Sequence, residues 1–147
     1  MIQQSVHNEQ FERHRVAVLI PTYNNAGTLG AVLNDALAYT QHIIVVNDGA
    51  TDETSAVLAQ FPSVQLVSYS PNRGKGVALR RGFAYAIKQG YDYVITMDAD
   101  GQHFASDLPS MLQQVEIHPG ALIIGARNLY QENMPGKSTS ANTVSHF

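Results

Sequence analysis

Tyr93-Val94-Ile95-Thr96-Met97-Asp98-Ala99-Asp100-Gly101-Gln102-His103 joins a run of strand-forming residues to two carboxylates spaced one residue apart. In an extended chain, residues i and i+2 point to the same face, so Asp98 and Asp100 face one way if the strand geometry persists that far. Two such carboxylates repel, and one resists ionisation unless a cation lies between them. Hard divalent ions, Mg2+ or Mn2+, favour oxygen ligands of this kind, usually one or two carboxylates together with substrate phosphates. The amide oxygen of Gln102 is a further ligand candidate. The same letters also read as an ordinary turn, because Asp-Gly is common loop punctuation.

Outward from this stretch, apolar runs alternate with helical periodicity. Val16-Ala17-Val18-Leu19-Ile20 and Ile43-Ile44-Val45-Val46 are continuous apolar runs, as expected of strands buried on both faces. Val64-Gln65-Leu66-Val67 is a third strand, placed nearer an edge by its polar interruption, and Ala121-Leu122-Ile123-Ile124 is a fifth. Between them, Leu29, Val32, Leu33, Ala36 and Leu37 recur at helical spacing. Thr51 is the expected cap of a second helix, with Asp52 and Glu53 in its first turn. Leu79, Phe83 and Ile87 form the stripe of a third, closed by Gly90. Ser106 opens a fourth, with Leu108, Met111, Leu112 and Val115 facing inward. The alternation predicts an α/β fold: a mostly parallel twisted sheet flanked by helices. Residues 1–14 read as a flexible leader, 15–128 as the folded domain, and 129–147 as an irregular C-terminal segment.

Composition narrows the function. The chain has 147 residues, 44% of them hydrophobic and 14% charged, enough for one domain with a sizeable core. A formal net charge of -3 without a basic run argues against nucleic acid as a partner. The absence of cysteine excludes disulfides and thiolate metal sites and suits a reducing, cytoplasmic setting. No apolar run approaches the roughly 18 residues that span a bilayer.

The polar and charged residues cluster by position. Tyr23 with Asn24, Asp48, Arg73 with Lys75, Asp98 with Asp100, and Arg127 each follow a different strand. In a parallel sheet those strand ends share one edge, where ligands bind at the reversal of strand order. The set suits a nucleoside diphosphate: a ring for a base from Tyr23, an acceptor from Asp48, and a cation at a helix N-terminus from Lys75. Each residue alone also has a plainer reading: Tyr23 as core, Asp48 as a turn or cap, Lys75 as a solvated surface residue, His103 as structural. Two phosphate motifs fail. Gly76 stands where a P-loop needs Ser or Thr, and Leu79 stands where a dinucleotide fingerprint needs its third glycine.

Four ordered segments carry a resemblance: Val18-Leu19-Ile20-Pro21-Thr22-Tyr23-Asn24, Val45-Val46-Asn47-Asp48-Gly49-Ala50-Thr51-Asp52, Asn72-Arg73-Gly74-Lys75-Gly76 and Asp98-Ala99-Asp100-Gly101-Gln102-His103. Together they resemble the family 2 glycosyltransferases of the GT-A fold, most closely the dolichol- and polyprenyl-phosphate sugar transferases, which implies a Rossmann-like nucleotide-binding part and makes residues 15–128 a GT-A nucleotide-sugar-binding domain. The resemblance implies transfer of a sugar from a UDP- or GDP-linked donor, with inversion, to an acceptor such as a polyprenyl phosphate. It implies that Pro21, Tyr23 and Asp48 hold the nucleobase, that Lys75 and Asp98 approach the nucleotide, and that Asp98, Asp100 and Gln102 hold Mg2+ or Mn2+. Arg127 matches the arginine of the family's Gly-Ser-Arg segment, so the catalytic set it implies is Asp98, Asp100 and Arg127. Asn25, Asn47 and Ala126 depart from the family's usual glutamate, aspartate and serine. The length implies a shortened acceptor side, and the acceptor class implies a full-length protein peripheral to the inner face of the membrane. A sugar nucleotidyltransferase and a non-catalytic nucleotide-binding module are the alternatives. The former needs a glycine-rich basic loop after the first strand, where Pro21-Thr22-Tyr23-Asn24 stands.

Overall fold

The computed structural model describes residues 2–102, 105–120, 123–124 and 143–147. The strands are β1 (Val16–Thr22), β2 (Ile43–Asp48), β3 (Gln65–Tyr69), β4 (Tyr93–Thr96), β5 (Ile123–Ile124) and β6 (Thr143–His146). The helices are α1 (Ile2–Arg13), α2 (Leu29–Leu37), α3 (Thr54–Leu58), α4 (Lys75–Lys88) and α5 (Leu108–Ile117). The strands form one six-stranded sheet in the order β3-β2-β1-β4-β6-β5. The first four are parallel, whereas β6 runs antiparallel to both neighbours.

The continuous apolar runs become central strands because each presents side chains to two cores in alternation. Val16, Val18 and Ile20 of β1 join Ile43, Val45 and Ile95 on one face. Ala17 and Leu19 join Ile44, Val46 and Val94 on the other. The first face is covered by α1, α2, α3 and α5, through Phe11, Leu33, Leu58 and Leu112 among others. The second is covered by α4, through Ala78 and Ala86. α4 rides close on β1: a Cβ on its Gly82 would lie 2.5 Å from Leu19 Cδ1.

Several expectations need correction. Residues 2–13 are not a flexible leader but helix α1, whose Phe11 is 1% exposed in the core. Polar contacts clasp it from distant segments: His14 Nε2 lies 3.1 Å from Glu116, His42 Nε2 lies 3.3 Å from Glu12, and Asn8 Oδ1 accepts the Gln41 amide at 3.0 Å. The C-terminal segment is not wholly irregular, because residues 143–146 form β6 between β4 and β5. β3 begins one residue later than expected and extends to Tyr69, at the sheet edge as the polar interruption implied. On α4 the buried positions are Ala78, Gly82 and Ala86; Leu79 and Phe83 are half-buried and Ile87 is exposed. The buried face thus carries small residues, which is what lets the helix approach the sheet. α3 starts at Thr54 rather than beside Thr51, with Asp52 Oδ1 accepting the Thr54 amide at 2.9 Å. The segment at Ser106 opens as a 3-10 turn, Ala105–Asp107, before α5.

Candidate functional site

The strand order places the reversal between β1 and β4: the chain proceeds from β1 outward to β2 and β3, then returns to the other side of β1. Ligand crevices in parallel sheets open beyond the carboxyl ends at such a point. Here a cleft of about 340 Å3 lies there, lined by Pro21 and Thr22 at the end of β1 with Tyr23 just beyond, Asp48 at the end of β2, Asn72, Gly74 and Lys75 at the entry to α4, and Asp98 to Asp100 after β4. Of the residues expected from the first four strand ends, Tyr23, Asp48, Lys75, Asp98 and Asp100 meet there and Asn24 does not line it. Arg127 and His103 lie outside the described residues. Arg73 and Gln102 are not among the lining residues.

Each wall is held by identifiable bonds. β4 continues its pairing beyond Thr96, with Met97 N donating to Leu19 O at 2.9 Å. Met97 and Ala99 are buried, at 1% and 3% exposure, so the alternation turns Asp98 and Asp100 away from that core. Thr28, at the start of α2, donates its hydroxyl to Ala99 O at 2.6 Å and pins the peptide between the two carboxylates. Asp100 Oδ1 accepts the Gln102 amide at 2.9 Å, across a turn in which Gly101 has a φ of 82°. Opposite, Asn24 Oδ1 accepts the Thr51 amide at 2.8 Å, and Asn25 Oδ1 accepts the Tyr23 amide at 3.1 Å. These bonds tie the loop after β1 to the loop after β2 and leave the Tyr23 ring 46% exposed at the rim. The exposure removes the core-packing explanation for Tyr23. In the same clasp, hydrogen bonds from Thr54 hold the Asp52 carboxyl below its usual range.

Asp48 is the best-connected residue of the site. Only 2% exposed, it accepts Arg73 N on Oδ1 at 2.9 Å, and Gly74 N at 2.9 Å and Asn72 Nδ2 at 2.8 Å on Oδ2. Its carboxylate therefore shapes the loop that leads into α4, where Gly74 takes a φ of 96°. Gly49, with a φ of 68°, lets this loop come close: a Cβ there would lie 2.4 Å from Asn72 N. Beside them Tyr69 has a buried hydroxyl; burial first, then the nearby Asp48 carboxylate, pushes its pKa up to about 12. The Arg81 guanidinium lies 4.1 Å over the Tyr69 ring. Of these, Asn72 and Thr28 carry site geometry that had no assigned role from sequence. Asn72 stands in a motif that was noticed, but the bond from Thr28 to Ala99 crosses 71 positions and leaves no local trace.

Lys75 opens α4, a helix whose N-terminal amides and partial positive charge face the cleft. Its ammonium lies 2.7 Å from Asp98 Oδ1. The Lys75 side chain is 60% exposed and that of Asp98 16%. Two carboxylates, a lysine and a helix N-terminus therefore meet in one cleft, a donor set of oxygens suited to a hard divalent cation and a cationic set suited to phosphates. Among the described residues, no group of three or more His, Cys, Asp or Glu side chains is arranged around a common metal position.

The family model for Glycosyl transferase family 2 matches residues 17–143. The chain belongs to glycosyl transferase family 2. Among curated relatives, it is 34% identical to the polyprenol monophosphomannose synthase of Mycolicibacterium smegmatis, over 90% of this chain and 55% of that protein. It is 33% identical to the undecaprenyl-phosphate mannosyltransferase of Micrococcus luteus, over 89% of this chain and 56% of that one. Identity to the dolichyl-phosphate beta-glucosyltransferase of Saccharomyces cerevisiae is 28%, over 68% and 34% respectively. The chain therefore spans between a third and somewhat over half of these relatives. Among solved structures, glucosyl-3-phosphoglycerate synthase of M. tuberculosis superposes with a TM-score of 0.69 at 19% identity, covering 97% of this chain and 60% of that one. The same enzyme crystallised with Mn2+, UDP-glucose and phosphoglyceric acid gives 0.63 at 21% identity, over 80% and 45%. These likenesses show the fold: the family 2 member described here has the mostly parallel sheet of the GT-A glycosyltransferases.

Proposed function

We propose that this chain is the donor-binding part of a glycosyltransferase that moves a hexose from a nucleoside-diphosphate sugar to a phosphate acceptor carried on a polyprenyl lipid. The observation that carries this reading is the convergence of Tyr23, Lys75, Asp98 and Asp100 on one cleft at the strand-order reversal. Two of the curated relatives named above carry dolichyl phosphate or undecaprenyl phosphate in their names and the third makes, by its name, polyprenol monophosphomannose, which supports the acceptor class.

In this reading the base stacks on the exposed Tyr23 ring at the rim. Pro21 and the loop ordered by Asp48 form the wall beside it. The diphosphate meets the N-terminus of α4 and Lys75, and Asp98 and Asp100, with Gln102 as a further ligand, hold a divalent cation, Mg2+ or Mn2+. Such a cation supplies charge neutralisation to a departing diphosphate. Lys75 and the α4 amides offset the same charge, in place before the reaction begins. A phosphate acceptor attacks with its own anionic oxygen and needs no carboxylate as general base. That fits a cleft in which the described lining carboxylates, Asp48, Asp98 and Asp100, are committed to the loop or the cation. Attack from the face opposite the diphosphate inverts the anomeric centre, and Arg127 is assigned to the transferred sugar or the acceptor phosphate. With a lipid acceptor, the full-length protein works at the inner surface of the membrane; among the described residues no helix is long and apolar enough to cross it.

The deciding experiment is calorimetric titration with UDP and GDP, with and without Mn2+, followed by product analysis with the matching sugar donor and a short-chain polyprenyl phosphate. Cation-dependent binding and release of a nucleoside diphosphate are expected, and Asp100→Ala removes the cation dependence while leaving the fold intact. Release of pyrophosphate would instead indicate a nucleotidyltransferase. Binding without transfer by the full-length protein would indicate a non-catalytic module.

A further inference from the structure

Lys75 suits a phosphate and Asp98 a cation, yet in the structure the two contact each other. The contact is 2.7 Å, between an ammonium on a largely exposed, flexible stem and a carboxylate that is 16% exposed. Asp98 sits two residues from Asp100 and both line the cleft, so Lys75 offsets the charge of one of two neighbouring carboxylates. A divalent cation entering at Asp98 meets a resident positive charge at bonding distance. It can bind well only once that charge has moved. Lys75 stands at the first position of α4, where a diphosphate would lie against the helix N-terminus, and so it has a second anionic partner within the sweep of its own side chain. The long stem of lysine allows the exchange, since its ammonium is a point charge without fixed bidentate geometry.

We propose that Lys75 is an internal counter-cation that occupies Asp98 in the nucleotide-free protein and moves to the diphosphate when the donor binds, so that Asp98 accepts the divalent cation more tightly together with nucleotide. The inference rests on the reading of the cleft as a cation-assisted diphosphate site. It adds a coupling: cation and nucleotide each raise the affinity for the other, and part of that coupling runs through one side chain. It also gives Lys75 a positioning role, distinct from its contribution to charge on the leaving group.

The test is Mn2+ binding to the full-length protein, followed by electron paramagnetic resonance of the free ion, without nucleotide and then with saturating UDP or GDP. Lys75→Met removes the charge and keeps the stem; Lys75→Arg keeps the charge. The Lys75→Met variant is expected to bind Mn2+ without nucleotide about three- to tenfold more tightly than the parent protein, the range for removing a partly screened ammonium beside a carboxylate. Its gain in Mn2+ affinity on adding nucleotide shrinks correspondingly. Lys75→Arg stays close to the parent in the nucleotide-free titration. Unchanged or weaker nucleotide-free binding by Lys75→Met, with nucleotide-dependent Mn2+ binding intact in the parent, overturns the exchange alone. Failure of the parent to bind Mn2+ even with nucleotide overturns both the exchange and the cation site. Thermal unfolding of each variant confirms that the fold is retained, as expected for a side chain that is 60% exposed.

Discussion

Replacing Asp48 by asparagine changes one atom and isolates what the buried carboxylate does. The native group receives three donors on two oxygens: Arg73 N on one, Gly74 N and Asn72 Nδ2 on the other. An asparagine keeps one oxygen. In its better orientation that oxygen retains Gly74 and Asn72, and the new NH2 group is set against the Arg73 amide. One hydrogen bond to a charged acceptor is lost, at about 1.5–3 kcal/mol, and the two that remain weaken by about 1 kcal/mol each on becoming neutral. Relief from burying a charge offsets part of this, leaving a net loss of about 2–4 kcal/mol. For a chain of this size that is a fall in midpoint temperature of about 5–15 °C. Urea unfolding monitored by far-UV circular dichroism measures it, and the denaturant slope should not change. Because the same bonds set the entry into α4, nucleotide affinity should weaken in parallel. A loss under about 0.5 kcal/mol with undiminished nucleotide binding would refute the view that Asp48 organises the loop.

Further outcomes follow from packing and titration. Gly82→Ala forces a methyl to within 2.5 Å of Leu19 Cδ1, so it should cost about 1–3 kcal/mol by overpacking, and Leu19→Ala in the same chain should recover part of the loss. Tyr69, raised from 10.0 to about 12, holds its proton more tightly when folded, so its contribution is complete below about pH 10 and disappears as the pH climbs from 10 to 12. Tyr69→Phe should flatten stability across that alkaline window, as read from urea midpoints at successive pH values.

The strands most readily seen in the sequence are those buried on both faces. β1 and β2 are unbroken apolar runs because both of their surfaces meet a core, and no polar position interrupts the signal. α1 was hidden for the opposite reason. Val6 is exposed and Phe11 is the member that reaches the core, so no stripe marks the helix. What fixes it is a set of polar contacts to residues about 30 and 102 positions away, which local periodicity cannot register. β6, Thr143-Val144-Ser145-His146, is short and largely polar; it is a strand because two neighbours offer it pairing partners. In the site, sequence located the cleft residues through the one property parallel sheets guarantee, a common edge for strand ends. It did not reveal their internal partners. Asp48 lines the cleft while its carboxylate is bonded to the loop before α4, in keeping with the turn reading, and Lys75 lines it while its ammonium contacts Asp98.

The place of β6 bears on how the molecule is made. Thr96 and its neighbour across the ladder, Thr143, are separated by 47 positions, and β5, which precedes β6 in the chain, lies beyond it in the sheet. During synthesis β4 therefore emerges with one flank bare and stays so until nearly fifty more residues have been translated. In that interval its unpaired amides and carbonyls are a template for any extended segment nearby, and it is the arrival of β6 that closes the flank.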